Sequence, residues 1–179
     1  NLSGLVGMTE RDVIIANDEN RSNNASVTDD FGKQGNNGWF YQYGYYRNPF
    51  FAVNIEKYID GEKYYTKDGV EIKKDFIMPS TKGKSANVKW KVAQDGAIDI
   101  YADYTKLKNE DANPLWPDGT VVTLMHNNAI LKSEFFAPHT TKEVTKDLSV
   151  FGVEVKKGDC ITLVVDGIDN TAYDGGLYT

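Results

Sequence analysis

The aromatic run QGNNGWFYQYGYYRNPFF, residues 34–51, constrains the fold more than any other segment. Eight of its eighteen residues are aromatic, and such rings pack well on the pleated, half-buried surface of a strand. Alternation predicts a core-facing side at positions 39, 41, 43 and 45, and a mixed side that meets solvent or a ligand at 40, 42, 44 and 46. The rings can form a core strand or a platform for a sugar, and both interpretations stay open.

Length, charge and cysteine content limit the classes of protein to consider. The 179 residues fit one domain with a sizeable core. The net charge of −6 argues against nucleic acid and anionic membrane surfaces, which attract lysine and arginine. No apolar run approaches the ~20 residues that cross a bilayer, and residues 1–8 lack the pattern of a signal peptide, which leaves the compartment open. The single cysteine, Cys160, excludes an internal disulfide and is predicted to be buried.

Alternating apolar and polar residues predict two hairpins. Residues 87–92 and 97–104 alternate on either side of a Gln-Asp-Gly turn, and Trp90 in the first of them is predicted to be core. Residues 153–155 and 160–166 flank a Lys-Gly-Asp turn in the same way. Turn residues between short runs of this kind are typical of antiparallel sheets.

The remaining pattern predicts an all-β fold. TVVTLMH, residues 120–126, is apolar on both sides, as expected for a central strand, and AILKSEFF follows it after an Asn-Asn turn. No segment holds helical periodicity over the ~11 residues of an average helix. We therefore expect an antiparallel β-sandwich of jelly-roll type with about nine or ten strands. Residues 31–179 form this sandwich, residues 1–30 are a polar segment of the same domain with one short strand, and residues 52–74 are a long insertion with one hairpin.

Catalytic signatures are missing from the sequence. The two histidines, His126 and His139, have no metal-ligand spacing, and there is no GxSxG elbow or Cys/His signature. Carboxylates are numerous, but their separation cannot be read from sequence. The sequence therefore predicts a protein that is not an enzyme. A polysaccharide lyase or hydrolase is an alternative that rests on fold analogy alone.

An Asp-rich tail raises the question of a metal ion. Asp166, Asp169 and Asp174 lie within DGIDNTAYD, and hard oxygen ligands at this density suit calcium. The spacing differs from an EF-hand loop, and a solvated turn rich in Asp and Asn is the favoured explanation. A structural calcium ion therefore stays open, and no other cofactor is predicted.

Aromatic residues in predicted loops indicate a sugar ligand. Trp116 lies between two prolines in NPLWPDG, so its indole is held rigidly. A sugar ring can lay its apolar C–H face on such a ring, because Tyr and Trp offer large area with few rotatable bonds. The alternative for Trp116 is a lid over the end of the sandwich. The predicted ligand-binding residues are Trp116 as main ring, Tyr45, Tyr46, Tyr64 and Tyr65 as candidates for a second ring, and Asn113, Asp118 and Lys63 as hydroxyl partners.

Four motifs resemble those of a known group of domains. QGNNGWFYQYG, ANVKWKVAQDGAIDIYA, PDGTVVTLMHNN and VEVKKGDCITLVVD are similar to lectin-like β-sandwich modules appended to secreted bacterial glycan-degrading proteins. The resemblance covers roughly residues 31–179 and implies structural roles for Trp39 and Trp90. The acidic, aromatic-rich composition without disulfides also resembles starch-adherence proteins of gut anaerobes.

The resemblance implies a function. It is that of a non-catalytic carbohydrate-binding module that holds a secreted or cell-surface bacterial protein on a polysaccharide, with an α-glucan such as starch favoured. Such a module is a monomeric part of a larger multidomain protein. Segments 52–85 and 105–119 depart from the pattern, and we expect ligand specificity to lie there. The alternative function is a protein-interaction or adhesin sandwich, which needs a flat patch instead of a ring-lined groove.

Overall fold

The computed structural model describes residues 21–45, 51–80, 83–107, 119–137, 142–167 and 176–178. Two short helices, Val27–Asp30 and the 3-10 helix Asn36–Gly38, precede the first strand. No helix in these ranges is long and apolar enough to cross a bilayer. The strands are β1 Trp39–Tyr45, β2 Val53–Asn54, β3 Tyr58–Ile59, β4 Lys63–Tyr65, β5 Glu71–Ile72, β6 Phe76–Met78, β7 Lys84–Lys91, β8 Gly96–Ile100, β9 Asp103–Lys106, β10 Thr120–His126, β11 Ala129–Phe136, β12 Val144–Asp147, β13 Val150–Val155, β14 Cys160–Asp166 and β15 Gly176–Tyr178.

Antiparallel sheets build the fold, which confirms the predicted all-β sandwich. One sheet has the strand order β11-β10-β14-β7-β1-β2, and the other has the order β12-β9-β15-β6-β5-β4-β3. The described strands outnumber the nine or ten that were predicted. Three of the additional strands arise in residues 53–78, where one hairpin was expected but five strands of two or three residues form, and β12 and β15 form where no strand was predicted.

Both hairpins predicted by alternation are wrong. Strand β7 pairs with β1 and β14, whereas β8 pairs with β13. Strand β14 pairs with β10 and β7, not with β13. Alternation reports which side of a strand faces the core, but it does not report which strand lies beside it. The prediction of a central strand is confirmed, because β10 lies between β11 and β14.

Strands β8 and β13 form a two-stranded ribbon that continues the β9–β12 edge of the seven-stranded sheet. Asp147 is opposite Asp103 in the β12–β9 pair, and Val150 is opposite Ile100 in the β13–β8 pair, so the register is preserved across the bend. Leu148 N–H donates to the Ala102 carbonyl at 2.8 Å where the two pairs meet. The ribbon therefore extends the seven-stranded sheet along its strands, and Ile98, Ile100, Val150 and Val153 pack against the core.

Tyrosine rings fill much of the space between the sheets. Tyr41, Tyr64, Tyr104 and Tyr178 are all buried. Tyr41 stacks on Tyr64 with ring centroids 4.7 Å apart, and the Tyr64 hydroxyl donates to the Gly32 carbonyl at 2.7 Å. Burial, the largest cause, together with neighbouring tyrosines raises the pKa of Tyr41 far above its ordinary value, so the phenol stays neutral.

The aromatic strand β1 follows its predicted core side only in part. Trp90 is 6% exposed and is core as predicted, and its neighbour Trp39 is half-buried against it. Along the same side of β1, Tyr41 is buried, but Tyr45, the last residue of the strand, is 45% exposed. On the mixed side Gln42 is buried, so the prediction that this side meets solvent is wrong there.

The turn before β1 is locked by side chains from distant segments. The Gln34 amide donates to the Tyr41 carbonyl at 2.7 Å and accepts from the Tyr41 N–H at 2.9 Å. The Arg21 guanidinium is buried and donates to the carbonyls of Asn37 at 3.0 Å and Lys91 at 2.7 Å. The motif QGNNGW therefore has a structural role, because its residues join β1, β7 and the segment that carries Arg21 through hydrogen bonds.

A side-chain hydrogen bond joins the turn before β14 to the end of β10. Oδ2 of Asp159 lies 2.8 Å from Nε2 of His126 and accepts from the Lys156 N–H at 2.9 Å. Because an ionised carboxylate can only accept, Nε2 carries the proton. The hydrogen bond from His126, followed by that from Lys156, lowers the pKa of Asp159 to about 2. The next residue, Cys160, is half-buried at the start of β14, so its predicted place in the core is wrong.

We expect Asp159→Asn to lower the free energy of unfolding by about 1 kcal/mol at neutral pH, a modest value because the pair is partly solvated. A lowered pKa means that the contribution is complete above the ordinary value of 3.8 and is lost as the pH falls toward 2. Thermal unfolding of both proteins between pH 7 and pH 2 measures this. If the difference in melting temperature between the wild type and Asp159→Asn did not become smaller below pH 4, the stabilising role of the ionised Asp159 would be contradicted.

Candidate functional site

A cleft of about 640 Å³ opens where the edges of the two sheets meet. Tyr43 reaches it from β1, and Tyr65 reaches it from β4. Both rings are half-buried, so each keeps a packed side and an accessible side. The cleft is lined by Tyr43, Val53, Asn54, Ile55, Glu56, Lys57, Tyr65, Thr66, Lys67, Asp68 and Lys84.

Short edge strands explain why the sandwich is open at this place. Strands β2 and β3 have two residues each and end their sheets, so neither can cover the gap. The segment between them is held by backbone bonds, with Ile55 N–H donating to the Tyr41 carbonyl at 3.0 Å and Tyr65 N–H donating to the Lys57 carbonyl at 3.1 Å. The backbone beneath the cleft is therefore held by hydrogen bonds, which favours a preformed shape.

An ion pair crosses the cleft between Lys84 and Asp68. Nζ of Lys84 lies 2.9 Å from Oδ2 of Asp68, and the Thr66 hydroxyl donates to the other oxygen at 2.6 Å. Burial alone would raise the pKa of Asp68, but the hydrogen bonds from Thr66 and Lys84 outweigh it and hold that pKa below its ordinary value. The hydrogen bond to Asp68 raises the pKa of Lys84. Both groups are charged at neutral pH and can bond hydroxyl groups.

Lysine ammonium groups lie over the tyrosine rings. Lys84 Nζ is 4.6 Å from the centroid of Tyr43 and 6.0 Å from that of Tyr45. Lys63 and Lys57 lie 5.7 and 6.0 Å from the centroid of Tyr65. Contacts of this kind contribute about 0.5–1 kcal/mol at exposed sites. A ligand that offers an apolar face to these rings therefore competes with the ammonium groups for them.

One of the predicted ligand residues lines the cleft, and two others contact its lining residues. Tyr65 lines it, Tyr45 is exposed beside the ammonium of Lys84, and Lys63 packs on the Tyr65 ring. The prediction for Tyr64 is wrong, because its side chain points inward and is 1% exposed. The other predicted residues, Trp116, Tyr46, Asn113 and Asp118, lie outside the described residues.

Sequence reasoning missed Tyr43, Asp68 and Lys84. Tyr43 lies on the side of β1 that was predicted to face the core. Strand β7 begins at Lys84, where Lys84 and Tyr45 are Cα partners in the β1–β7 pair. Extending the alternation of residues 87–92 backwards by three residues would have indicated this position.

The predicted calcium site is only partly described. Asp166 ends β14, whereas Asp169 and Asp174 lie outside the described residues, as does His139. Among the described residues, no group of three or more His, Cys, Asp or Glu side chains could hold a metal ion. Calcium bound by the three aspartates stays a prediction.

Comparison with known proteins adds little to this geometry. No protein-family model and no curated protein matches the chain. Among solved structures, β-glucosidase from Kluyveromyces marxianus in complex with glucose is similar to 80% of this chain at 14% identity, with a TM-score of 0.27. This chain spans 15% of that protein's length. A similarity this low supports no argument about function.

Proposed function

We propose that this protein is a non-catalytic carbohydrate-binding module that holds an extracellular or cell-surface bacterial protein on a polysaccharide. The observation that supports the proposal is the cleft, in which Tyr43 and Tyr65 share an open space with an ion pair. A saccharide has apolar C–H faces that suit such rings and hydroxyls that suit charged and amide groups. Pockets of this size commonly bind small molecules.

The proposed ligand is a neutral glycan. Among the described lining residues the charges are mixed, with three lysines and two acidic residues, so the cleft has no single sign that would select a charged ligand. Asn54 adds an amide that is already oriented, because its Oδ1 accepts from the Gln42 amide at 2.7 Å. An α-glucan such as starch is the favoured ligand, because the composition of the chain resembles that of starch-adherence proteins. We expect modest affinity, about 10 µM to 1 mM, or roughly −4 to −7 kcal/mol, which several modules on one protein would strengthen by avidity.

Affinity electrophoresis in native gels containing amylopectin, xylan, mannan or pectin tests the proposal. We expect retardation by amylopectin, and we expect Tyr65→Ala to weaken it at least about tenfold, because it removes a ring from the centre of the contact. Tyr65→Phe keeps the ring and should remain retarded.

Phe135→Ala is the matched control. Phe135 is an exposed ring on β11, at the edge of the six-stranded sheet farthest from the cleft, so its loss should leave retardation unchanged. Migration unaffected by all four polysaccharides would reject the function, and equal retardation of wild type and Tyr65→Ala would reject the cleft as its site.

A further inference from the structure

A second pair of aromatic rings stands exposed on the ribbon formed by β8 and β13. Tyr101 is 74% exposed and Phe151 is 61% exposed, and their centroids are 5.4 Å apart at an interplanar angle of 62°. We call these two residues the ring pair. Large rings in water carry a cost in free energy, and contiguous exposed apolar surface often marks a binding site.

The ribbon holds the ring pair in place. The β13–β8 register shifts between Val150 and Val153, so an extra residue is inserted beside the rings. Such a bulge redirects side chains, and both Phe151 and Gly152 are exposed there. Oδ1 of Asp99 accepts from the Gly152 N–H at 2.9 Å and fixes the bulge. The rings are therefore supported by backbone geometry and a side-chain bond.

A cavity of about 550 Å³ begins beside Tyr101. Asp99, Asp103, Asp147 and Ser149 are among its lining residues, and its described lining contains no lysine or arginine. Each carboxylate oxygen has two lone pairs and can accept further hydrogen bonds from hydroxyl groups. Hydrogen bonds from Ser149 lower the pKa of Asp147, so this carboxylate is ionised at neutral pH. The wall of the cavity next to the ring pair therefore combines three carboxylates with apolar side chains such as Ile98 and Ile100.

We propose that the ring pair is a second contact for a neutral polysaccharide, independent of the cleft. The carboxylates repel anionic glycans such as pectin and accept bonds from sugar hydroxyls. The two rings offer about 200–350 Å² of contact area, well below the ~800 Å² per partner of a stable protein interface. A glycan needs only such a small ring surface, so it fits the patch better than a protein or a second copy of this chain.

The two contacts lie at opposite edges of the sandwich. The ring pair follows β8 and β13, which extend the β9–β12 edge, whereas the cleft lies at the β3–β4 edge. Four strand spacings separate β9 from β4, which is about 19 Å at ~4.8 Å per spacing. One long glycan chain or two neighbouring chains can engage both contacts, which would strengthen attachment by avidity. This inference rests on the proposed function.

Backbone ¹H–¹⁵N NMR spectra, titrated with maltoheptaose, xylohexaose and mannohexaose, test the second contact. With at least one of these glycans, the wild type should show two groups of shifted resonances, one around the cleft and one around the ring pair. The double variant Tyr101→Ala/Phe151→Ala should lose only the second group and be retarded at least about tenfold less by the matching polysaccharide. Tyr101→Phe/Phe151→Tyr keeps both rings and should behave as the wild type, which controls for folding.

The outcomes separate this inference from the proposed function. Shifts confined to the cleft, with unchanged retardation of the double variant, would overturn the second contact and leave the proposed function intact. A wild-type dimer that the double variant converts to a monomer, with unchanged glycan binding, would assign the patch to a second copy and also overturn it. No shifts with any of the three glycans would overturn both.

Discussion

Gly38→Ala is expected to lower the free energy of unfolding by about 3 kcal/mol. Gly38 has a φ of +84°, and this left-handed conformation costs a residue with a Cβ about 1–2 kcal/mol. The added Cβ would also overlap the Arg21 guanidinium, whose Cζ would be only 2.6 Å away. That group is buried with hydrogen bonds to two carbonyls, and bonds of this charged type contribute ~1.5–3 kcal/mol. Urea denaturation measures the loss.

Gly158→Ala is the matched control for this substitution. Gly158 has a φ of +90°, but no atom beyond its chain neighbours lies within 4 Å of the point that an alanine Cβ would occupy, so only the conformational cost applies. The loss at Gly158 should therefore be about 1–2 kcal/mol. Arg21→Ala should cost less in the Gly38→Ala background than in the wild type, because the guanidinium is already displaced. Equal losses at Gly38 and Gly158 would show that the Arg21 contact does not contribute to stability.

Tyr64→Ala should lower the free energy of unfolding by about 3–5 kcal/mol, the usual cost of removing a large buried ring. The Tyr64 ring is stacked between Tyr41 and Tyr58, with centroids 4.7 and 4.4 Å away. Tyr65→Ala, one residue along the same strand, removes a half-buried ring on the other side and should cost about 1 kcal/mol. Thermal and urea unfolding of the two variants compare a core ring with a cleft ring.

The matched conservative variant is Tyr64→Phe. It keeps the stacked ring and loses only the hydroxyl that donates to Gly32, so it should cost about 1–2 kcal/mol. If Tyr64→Ala were no more destabilising than Tyr65→Ala, the assignment of opposite sides to these neighbours would be wrong. Core tyrosines and ligand tyrosines could then not be told apart by the side of β4 on which they lie.

The sequence predicted the class of fold well, because alternation of side chains is a local property of a strand. It identified β10 as central and Trp90 as core on this basis. Strand partners could not be predicted in the same way. The connections from β7 to β8 and from β13 to β14 resemble hairpin turns in sequence, but each crosses between sheets. Long-range packing, not the turn residues, decides which strands pair.

The candidate site was predicted only in outline for a similar reason. Tyr65 and Lys63 were selected as ring and polar partner; Tyr65 lines the cleft, and the Lys63 ammonium lies over the Tyr65 ring. Tyr64 was selected with them, because the two- and three-residue strands around it are too short to show which side faces inward. The pairing of Asp68 with Lys84 joins residues sixteen positions apart through tertiary packing, and no local pattern encodes it.

The ring pair illustrates what alternation can indicate about function. Tyr101 shares a side of its strand with Asp99 and Asp103, and the apolar residues between them are on the other side. The outward direction of Tyr101 could therefore be predicted from the sequence. Its contact with Phe151 could not, because it depends on the β13–β8 pairing and on the bulge within it.

Aromatic ¹H–¹³C NMR spectra of the tyrosine rings, titrated with maltoheptaose, test whether the cleft holds an α-glucan. We expect the ring signals of Tyr43 and Tyr65 to shift in a saturable way, while those of the buried Tyr41 and Tyr64 stay in place. Saturable binding that leaves the Tyr43 and Tyr65 signals unmoved, or no binding of maltoheptaose at millimolar concentration, would contradict the proposal that this cleft holds an α-glucan.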